Sequence, residues 1–330
     1  MKRDLNDDNR TGRGAADVQG PVRTQGTAEV QDTVKTRGAA DVQGPVRAQG
    51  TTEVQDAVKT RGAADSGASA VKHLKLIGLY FKYNLQSAME YRASFITQSL
   101  GMFLNNAFFI FFWWVIFQKV SSIGGYGFKE VMLVWALSAA TFGAVHVVFG
   151  NVRRLPEIIM NGELDTFLLQ PKNVYVNVQC SRMELSAWGD LIFGFVLFFA
   201  IFGLDPGRLL LFILFISAGG LLMGAVLISA GTLTFFIGNS STISRMVMEF
   251  LLNFSLYPDS IYGKEIKLIM YTIIPAGFIV FMPIRLLTAF SWYGLLILLA
   301  VDTLYIAAAY LFFRKGLEKY ESGNLISTRL

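Results

Sequence analysis

Long apolar runs beyond residue 92 restrict this chain to one class of fold. A helix needs about 20 predominantly apolar residues to cross the hydrocarbon core of a bilayer. Lipid cannot bond exposed backbone groups, so only helices and closed barrels cross it. Runs of this length and apolarity therefore predict an all-α polytopic membrane protein. The candidate runs are residues 93–118, 130–150, 187–204, 209–237, 246–257, 268–290 and 292–313.

The apolar character is confined to one part of the chain. Soluble domains are about 45–50% apolar and about a quarter charged, whereas this chain is 53% hydrophobic and 16% charged. Residues 1–70 contain no Phe, Tyr, Trp or Ile, and Leu5 is their only leucine. Acids and bases balance there, so the net charge of +5 comes from residues 71–330. Such an excess points to loops at membrane faces, and we expect contact with the lipid bilayer and no nucleic acid.

A twelve-residue repeat fills most of residues 1–70. RGAADVQGPVRT (13–24) and QGTAEVQDTVKT (25–36) recur almost unchanged over residues 37–60. Each unit offers two valines and no larger apolar side chain, too little burial to offset the entropy of ordering the chain. We therefore predict a disordered tail over residues 1–70, with a partner-binding array as the alternative. MKRDLNDDNR lacks an apolar region, so no cleaved signal peptide is expected.

Residues 71–95 combine basic, aromatic and aliphatic side chains. Lys72, Lys75 and Lys82 alternate with residues such as Leu76 and Phe81. This mixture is typical of a helix that lies in the membrane interface. The alternative is that the segment simply begins the first membrane-spanning helix.

The distribution of basic residues predicts the number of crossings. Lysine and arginine close to membrane segments mark the cytoplasmic side. If the runs alternate, the basic clusters fall on one side and both termini are cytoplasmic. The number of crossings is then even, so one of the seven candidates does not cross. The clusters are Lys72 to Arg92, Arg153 and Arg154, Lys172, Arg182, Arg245, and Arg314 to Lys319.

The segment YPDSIYGKEIKLIMYTIIPAGFIVFMP (257–283) is the best candidate for the run that does not cross. Pro275 interrupts it, and a proline inside a helix costs about 3 kcal/mol. Charged residues crowd 259–267, where we expect them to stay near water. We therefore predict six transmembrane helices and, before the last of them, a re-entrant hairpin over 264–290 on the external face. Its marking residues are Pro258, Pro275, Gly277 and Pro283.

The sequence lacks the residues that several kinds of chemistry require. The chain has no GxxxxGK[ST] loop, so we expect no ATPase activity in it. The single cysteine, Cys180, excludes an internal disulfide and a cysteine-based zinc site. The intramembrane candidates His146, Asp190, Glu249 and Asp302 are scattered one to a run, which gives weak support to a proton or ion relay. We expect no catalytic residue, no bound metal and no cofactor in this chain.

The segment NVRRLPEIIMNGELDTFLLQPKN (151–173) has the form of a docking surface. Gly162 can end one short helix, and the acids after it suit the start of another. Phe167 to Leu169 offer an apolar face, and Pro171 stops the pattern. An ordinary interfacial loop is the alternative. The candidate contact residues are Arg153, Arg154, Glu157, Glu163, Asp165 and Leu168.

Three motifs carry a family resemblance. GELDTFLLQP, YPDSIY and IIPAGFIVFMP occur in the order and spacing found in the membrane permeases of type-2 ABC exporters. The chain resembles that family over residues 71–320, which leaves 321–330 as a cytoplasmic C-terminal tail. The resemblance implies six spans, cytoplasmic termini and a re-entrant element before the last span. It also implies that the first intracellular loop contacts a separate ATPase subunit.

The expected function follows from this resemblance. The chain would be a non-catalytic permease subunit of an ATP-driven exporter in the plasma membrane, with ATP and Mg on the partner ATPase. A second permease, identical or different, would complete the pathway. The alternative is an ion-coupled secondary transporter, although the chain has no midplane group of acids and no inverted repeat. A membrane-embedded enzyme would need grouped His, Asp or Lys, which the sequence lacks.

Overall fold

The computed structural model describes residues 70–320, and every regular element in that range is helical. The predicted tails, 1–70 and 321–330, lie outside the described residues, apart from Ala70 at the start of the first helix. The longer helices are α1 (Ala70–Glu90), α2 (Arg92–Phe117), α3 (Phe128–Val148), α7 (Ala187–Phe202), α8 (Pro206–Thr232), α10 (Ser241–Leu256) and α13 (Trp292–Glu318).

Short helices connect these elements. They are α4 (Leu155–Met160), α5 (Leu164–Leu168), α6 (Val174–Cys180), α9 (Thr234–Ile237), α11 (Lys264–Thr272) and α12 (Met282–Thr288). Three-residue 3-10 turns lie at Val152–Arg154 and Asp259–Ile261, and a π-helical turn lies at Gly277–Phe281.

Side-chain caps fix where several helices begin. Asp205 accepts a bond of 3.1 Å from the Arg208 amide, with Pro206 in the first turn of α8. Asn173 and Ser291 cap α6 and α13 in the same way. Each cap bonds one of the amides that have no partner within the helix.

Within residues 70–320, four helices are long and apolar enough to cross a bilayer: α2, α3, the continuous stretch Pro206–Ile237, and α13. Counting the bent pair α11 and Gly277–Thr288 as one span would make five. The helices α7 and α10 are shorter, with 16 residues each. All six predicted spans therefore correspond to helices, and the crossing of all six remains a prediction.

The helix α3 lies at the centre of the bundle. Of its most apolar window, 78% is buried, against 11% for α2 and 22% for α13. It packs on α7 and α8, and α8 also packs on α13. A helix that is apolar on all sides and buried fits an interior position, and α3 contacts most of the other long helices.

Single glycines bring the central helices close together. A Cβ atom on Gly194 of α7 would lie 2.6 Å from the Ala136 carbonyl oxygen of α3. A Cβ atom on Gly189 would collide with the Ser99 carbonyl oxygen of α2. The GxxxG pair of α8 has more room, because Cβ atoms on Gly220 and Gly224 would lie at ordinary contact distances of 3.9 and 3.5 Å. Small residues allow close backbone approach in membrane bundles, and here α7 supplies Gly189 and Gly194 while α3 supplies Gly143.

Candidate transport pathway and docking segment

The 151–173 segment folds into the 3-10 turn, α4 and α5. Buried apolar side chains on one side of the segment anchor it to the helix bundle. Leu155, Ile158 and Leu164 have no exposed surface. Gly162 has a φ of 71°, which ends the first short helix, and Asp165 lies in the first turn of α5. The predicted helix–glycine–helix pattern is therefore present, and its apolar side holds the segment against the bundle.

The polar side of this segment faces outward. Arg153, Glu157 and Glu163 are exposed, whereas Arg154 and Asp165 are half-buried. Leu168 is 1% exposed and belongs to the core, so it anchors the segment and presents nothing to a partner. The exposed apolar side chains of the segment are Met160 and Leu169.

Arg154 organises the charges of this surface. Its Nε lies 3.4 Å from Glu157 Oε2, and its Nη2 lies 3.9 Å from Glu163 Oε2. The three side chains are 38%, 59% and 43% exposed, and pairs this exposed contribute about 0–1 kcal/mol to stability. The arrangement therefore shapes a charged surface more than it stabilises the fold.

The helix α1 is attached to the end of this segment through α6. Lys172 Nζ donates to Tyr80 Oη at 3.1 Å, and Tyr80 Oη donates to Asn177. Asn84 Nδ2 donates to the Cys180 carbonyl oxygen at 2.9 Å. Its basic residues Lys72, Lys75 and Lys82 are exposed. The exposed surface of α1 therefore mixes basic with large apolar side chains, and its position in the membrane interface remains a prediction.

A wide polar recess, which we name the vestibule, lies beside the 151–173 segment. Its volume is about 750 Å³. Its wall is formed by the end of α3, the first three turns of α10, the start of α4, the residues before α7 and Leu227 of α8. Four arginines and three glutamates line it: Arg153, Arg154, Arg182, Arg245, Glu157, Glu184 and Glu249.

A smaller recess, which we name the inner cavity, adjoins the vestibule. Phe142 and Leu252 line both spaces. The inner cavity has a volume of about 200 Å³ and lies among α2, α3, α7, α8, α10 and the Gly277–Phe281 turn. Its polar lining consists of Asn105, Asn106, Trp135, Ser138, Thr141, Asp190 and Ser255.

The intramembrane ionisable residues do not form a cluster among the described residues. Asp190 lines the inner cavity and Glu249 the vestibule, while Asp302 is buried in α13 and lines neither. The His146 Nδ1 bonds to the Phe142 carbonyl oxygen at 2.9 Å, and the imidazole stacks on the Phe142 ring. No group of three or more potential metal ligands occurs in residues 70–320. A relay along these residues has no geometric support.

The proline-interrupted segment is bent as its sequence predicts. The axes of α11 and of Gly277–Thr288 differ by 80°, with Pro275 in the break. Gly277 does not have a positive φ, so its role differs from the expected backbone freedom. A Cβ atom there would lie 2.6 Å from Tyr271 Cζ, so the glycine makes room for that ring. Pro258 and Pro283 are buried beside the 3-10 turn and in α12.

A buried carboxylate fastens this segment to the α2–α3 connection. Tyr126 Oη donates to Asp259 Oδ1 at 2.6 Å, and Arg285 Nη2 donates to Asp259 Oδ2 at 3.0 Å. The Asp259 side chain is only 7% exposed, whereas that of Arg285 is 66% exposed, and the expectation that the charged residues of 259–267 stay near water remains a prediction. The arginine supplies the countercharge that makes this burial possible. Burial and the bond to Asp259 raise the pKa of Tyr126 above its ordinary 10.0, so the phenol remains a donor at physiological pH.

The two contacts of Asp259, with Tyr126 and Arg285, are named the Asp259 clamp here. Loss of this clamp should loosen the α2–α3 connection. We expect Asp259→Asn to destabilise the protein by about 1–3 kcal/mol, because Arg285 and Tyr126 lose a charged acceptor. Amide exchange over 121–127 should accelerate. Arg208→Gln breaks the exposed pair with Asp205 within α8 and serves as the control, with unchanged exchange over 121–127. Equal exchange in wild type and Asp259→Asn would refute the clamp.

Cys180 should be inert in the folded protein. Its side chain is fully buried, and burial raises the pKa of the thiol to about 12 from an ordinary 9.0. Since the thiolate is the reactive form, we expect no labelling by N-ethylmaleimide at pH 7.5 and complete labelling in denaturant. Mass spectrometry of the intact chain measures both. Labelling of the folded protein within minutes would contradict the burial.

Sequence reasoning missed most of the inner cavity. It singled out Asp190 but not Asn106, Trp135 or Thr141, which come from two other helices. Polar residues inside apolar runs were the available signal, since Asn105 and Asn106 interrupt the run 93–118. The structure brings Asn106 within 2.6 Å of Asp190, a contact between residues 84 positions apart.

The comparisons agree with the architecture. No curated protein and no solved structure matches the chain. A family model described as "ABC-2 family transporter protein" matches residues 103–323, more than half of the chain. That range contains the 151–173 segment, the vestibule, the proline-interrupted segment and all of the inner-cavity lining except Met102. The chain therefore belongs to the ABC-2 family and is a multi-pass membrane permease subunit of an ABC transporter system.

Proposed function

We propose that this permease forms the translocation pathway of an ATP-driven exporter. Its 151–173 segment would contact a separate ATPase subunit and transmit the motion of that subunit to the helices. One observation carries the proposal. The segment is anchored by fully buried side chains and presents a charged face beside the vestibule. A rigid, charged surface at one end of a helix bundle suits a partner that pushes on it.

The packing of the 151–173 segment explains how a movement of the ATPase subunit would be transmitted to the pathway. The Val152–Arg154 turn and α4 pack on α8, and α4 also contacts α10. Leu155 lies against Gly231 of α8, where a Cβ atom would be 3.0 Å from the leucine Cβ. Since α8 and α10 also line both recesses, displacement of the segment moves the cavity walls. This is a rigid-body switch between two packings.

The proposed topology has six spans, with both termini in the cytoplasm and the chain in the plasma membrane. Basic residues at the 151–173 segment and at the end of α13 support the cytoplasmic side. The 80° bend supports a re-entrant hairpin, because a straight span would not contain it. A second permease would cover α2, whose large apolar side chains such as Phe108 (70%) and Phe112 (55%) are exposed.

A direct experiment separates this function from the alternative. The tagged permease is purified from its native membranes, and the co-purifying chains are identified by mass spectrometry. We expect a chain with a GxxxxGK[ST] loop and vanadate-sensitive ATP hydrolysis in the purified complex. Absence of such a chain, together with uptake driven by an ion gradient in permease-only vesicles, would instead establish a secondary transporter.

The hairpin has its own test, which uses single cysteines in a Cys180→Ser background. Ser260→Cys and Ala289→Cys place thiols at exposed positions on either side of the bent pair. Ala289 is preferred to Ser291, because Ser291 caps α13. If the hairpin is re-entrant, both thiols should react with an impermeant maleimide added outside intact cells.

The opposite result is equally clear. If Ser260→Cys reacts from outside and Ala289→Cys reacts only in inverted vesicles, the bent pair crosses the membrane. The number of crossings would then be odd, and the six-span topology would be wrong.

A further inference from the structure

The inner cavity contains one ionisable side chain among the described residues that line it. This is Asp190, which is 3% exposed and lies in the first turn of α7. No lysine, arginine or histidine belongs to the described lining. The electrostatics of this space therefore disfavour anions and favour a positive ligand.

Asp190 is incompletely satisfied within the protein. Asn106 Nδ2 donates to its Oδ1 at 2.6 Å, and this is its side-chain hydrogen bond within residues 70–320. A carboxylate has about four acceptor positions, and a buried charge is normally paired. A cationic ligand would supply the missing countercharge.

The cavity also offers aromatic and polar contacts. The rings of Phe109 and Trp135 stack with centroids 5.1 Å apart, and such faces attract cations. Trp135 Nε1 and Thr141 Oγ1 are buried and have no hydrogen-bond partner in the described structure. Their residues are 3% and 1% exposed. Two unsatisfied buried groups in one recess indicate that a ligand or water completes them.

Access is from the α2 side. Asn105 and Phe109 line the cavity and are also exposed on the outer face of α2. The vestibule adjoins the cavity at Phe142 and Leu252, and its lining carries four arginines and three glutamates. An amphipathic molecule can reach the cavity along the apolar face of α2.

We propose that the inner cavity binds a small organic cation, an ammonium group carried on an aromatic or aliphatic frame, with Asp190 as its counterion. Its assignment as the class of exported cargo rests on the proposed function. The binding itself does not, because it needs no ATPase.

Three nearly isosteric probes test the charge preference. They are 2-phenylethylamine, which is a cation at pH 7, the neutral 2-phenylethanol and the anion phenylacetate. Each is titrated calorimetrically into the purified permease in nanodiscs, with empty nanodiscs as the blank. We expect the cation to bind at least about tenfold more tightly than the alcohol, with no saturable binding of the anion.

Matched variants test the role of Asp190 as the counterion. Asp190→Asn keeps the shape and removes the charge, so the affinity for the cation should fall about tenfold, to that of the alcohol. Asp302→Asn makes the same change at a buried aspartate outside the cavity and should leave binding unchanged. If Asp190→Asn does not fold, Phe109→Leu is the substitute, because Phe109 is 43% exposed. This substitution should reduce the affinity for the cation several-fold more than the affinity for the alcohol.

Several results would overturn the proposal. Equal affinities for the cation and the alcohol, or tighter binding of the alcohol, would mean that Asp190 is protonated and that the cavity takes neutral molecules. Unchanged cation binding in Asp190→Asn, or in Phe109→Leu where that variant is used, would place the site elsewhere. Because this assay contains no ATP and no ATPase, a negative result leaves the ATP-driven function standing, and loss of ATPase coupling leaves this binding standing.

Discussion

Gly189→Ala should cause the largest loss of stability among single-methyl additions to this protein. The new Cβ would collide with the Ser99 carbonyl oxygen of α2, and it would also lie 2.8 Å from the Phe103 amide nitrogen. Both are backbone atoms and cannot rotate away, so α2 and α7 must separate. Overpacking of this kind costs about 1–3 kcal/mol and occasionally more. Fluorescence-detected size exclusion of the detergent-solubilised protein after a temperature series measures the loss.

Gly101→Ala is the matched control, and the expected sign is opposite. Gly101 is in the middle of α2, with no atom within 4 Å of its would-be Cβ. Alanine is favoured over glycine in a helix by roughly 0.5–1 kcal/mol, so this variant should be as stable as the wild type or more stable. Melting of Gly189→Ala at the wild-type temperature would mean that α2 and α7 do not approach this closely.

The contrast between these glycines shows where sequence reasoning succeeds. The apolar runs predicted the helices well, since 93–118 and 187–204 correspond to Arg92–Phe117 and Ala187–Phe202. Bilayer thickness sets that length, so it can be read along a single segment. The predicted run 246–257 starts further along the chain than the helix does, because α10 begins at Ser241. Its first turns carry Ser244 and Arg245, which line the vestibule and are therefore polar.

Contacts between helices were beyond the reach of the same reasoning. The GxxxG motif of α8 drew attention, yet tighter approaches occur at Gly189 and Gly194 of α7 and at Gly143 of α3. Which glycine faces a neighbour depends on the rotation and crossing of two helices, and neither is encoded in a local pattern. The meeting of Asp190 with Asn106 and the clamp on Asp259 were missed for the same reason.

Charge reversal on the 151–173 segment should have the largest effect on function. The double variant Glu157→Lys with Glu163→Lys surrounds Arg154 with positive charge on the exposed face. Like charges set against a complementary partner cost several kcal/mol, so the affinity for the ATPase should fall by about tenfold or more. Asp165, predicted from sequence as a contact, is half-buried, and changing it would confuse folding with docking. Co-purification of the ATPase and transport per ATP hydrolysed are the measurements.

The fold should survive this change, which makes the result interpretable. The pairs of Arg154 are exposed, and exposed pairs contribute about 0–1 kcal/mol, so the variant should insert and melt like the wild type. Glu318→Lys, an exposed acid on α13, is the control and should retain full coupling. Docking through these charges should also weaken as ionic strength rises, since salt screens exposed charges beyond about 10 Å at 0.1 M. Normal co-purification and coupling in the double variant would contradict the placement of Glu157 and Glu163 at the ATPase contact.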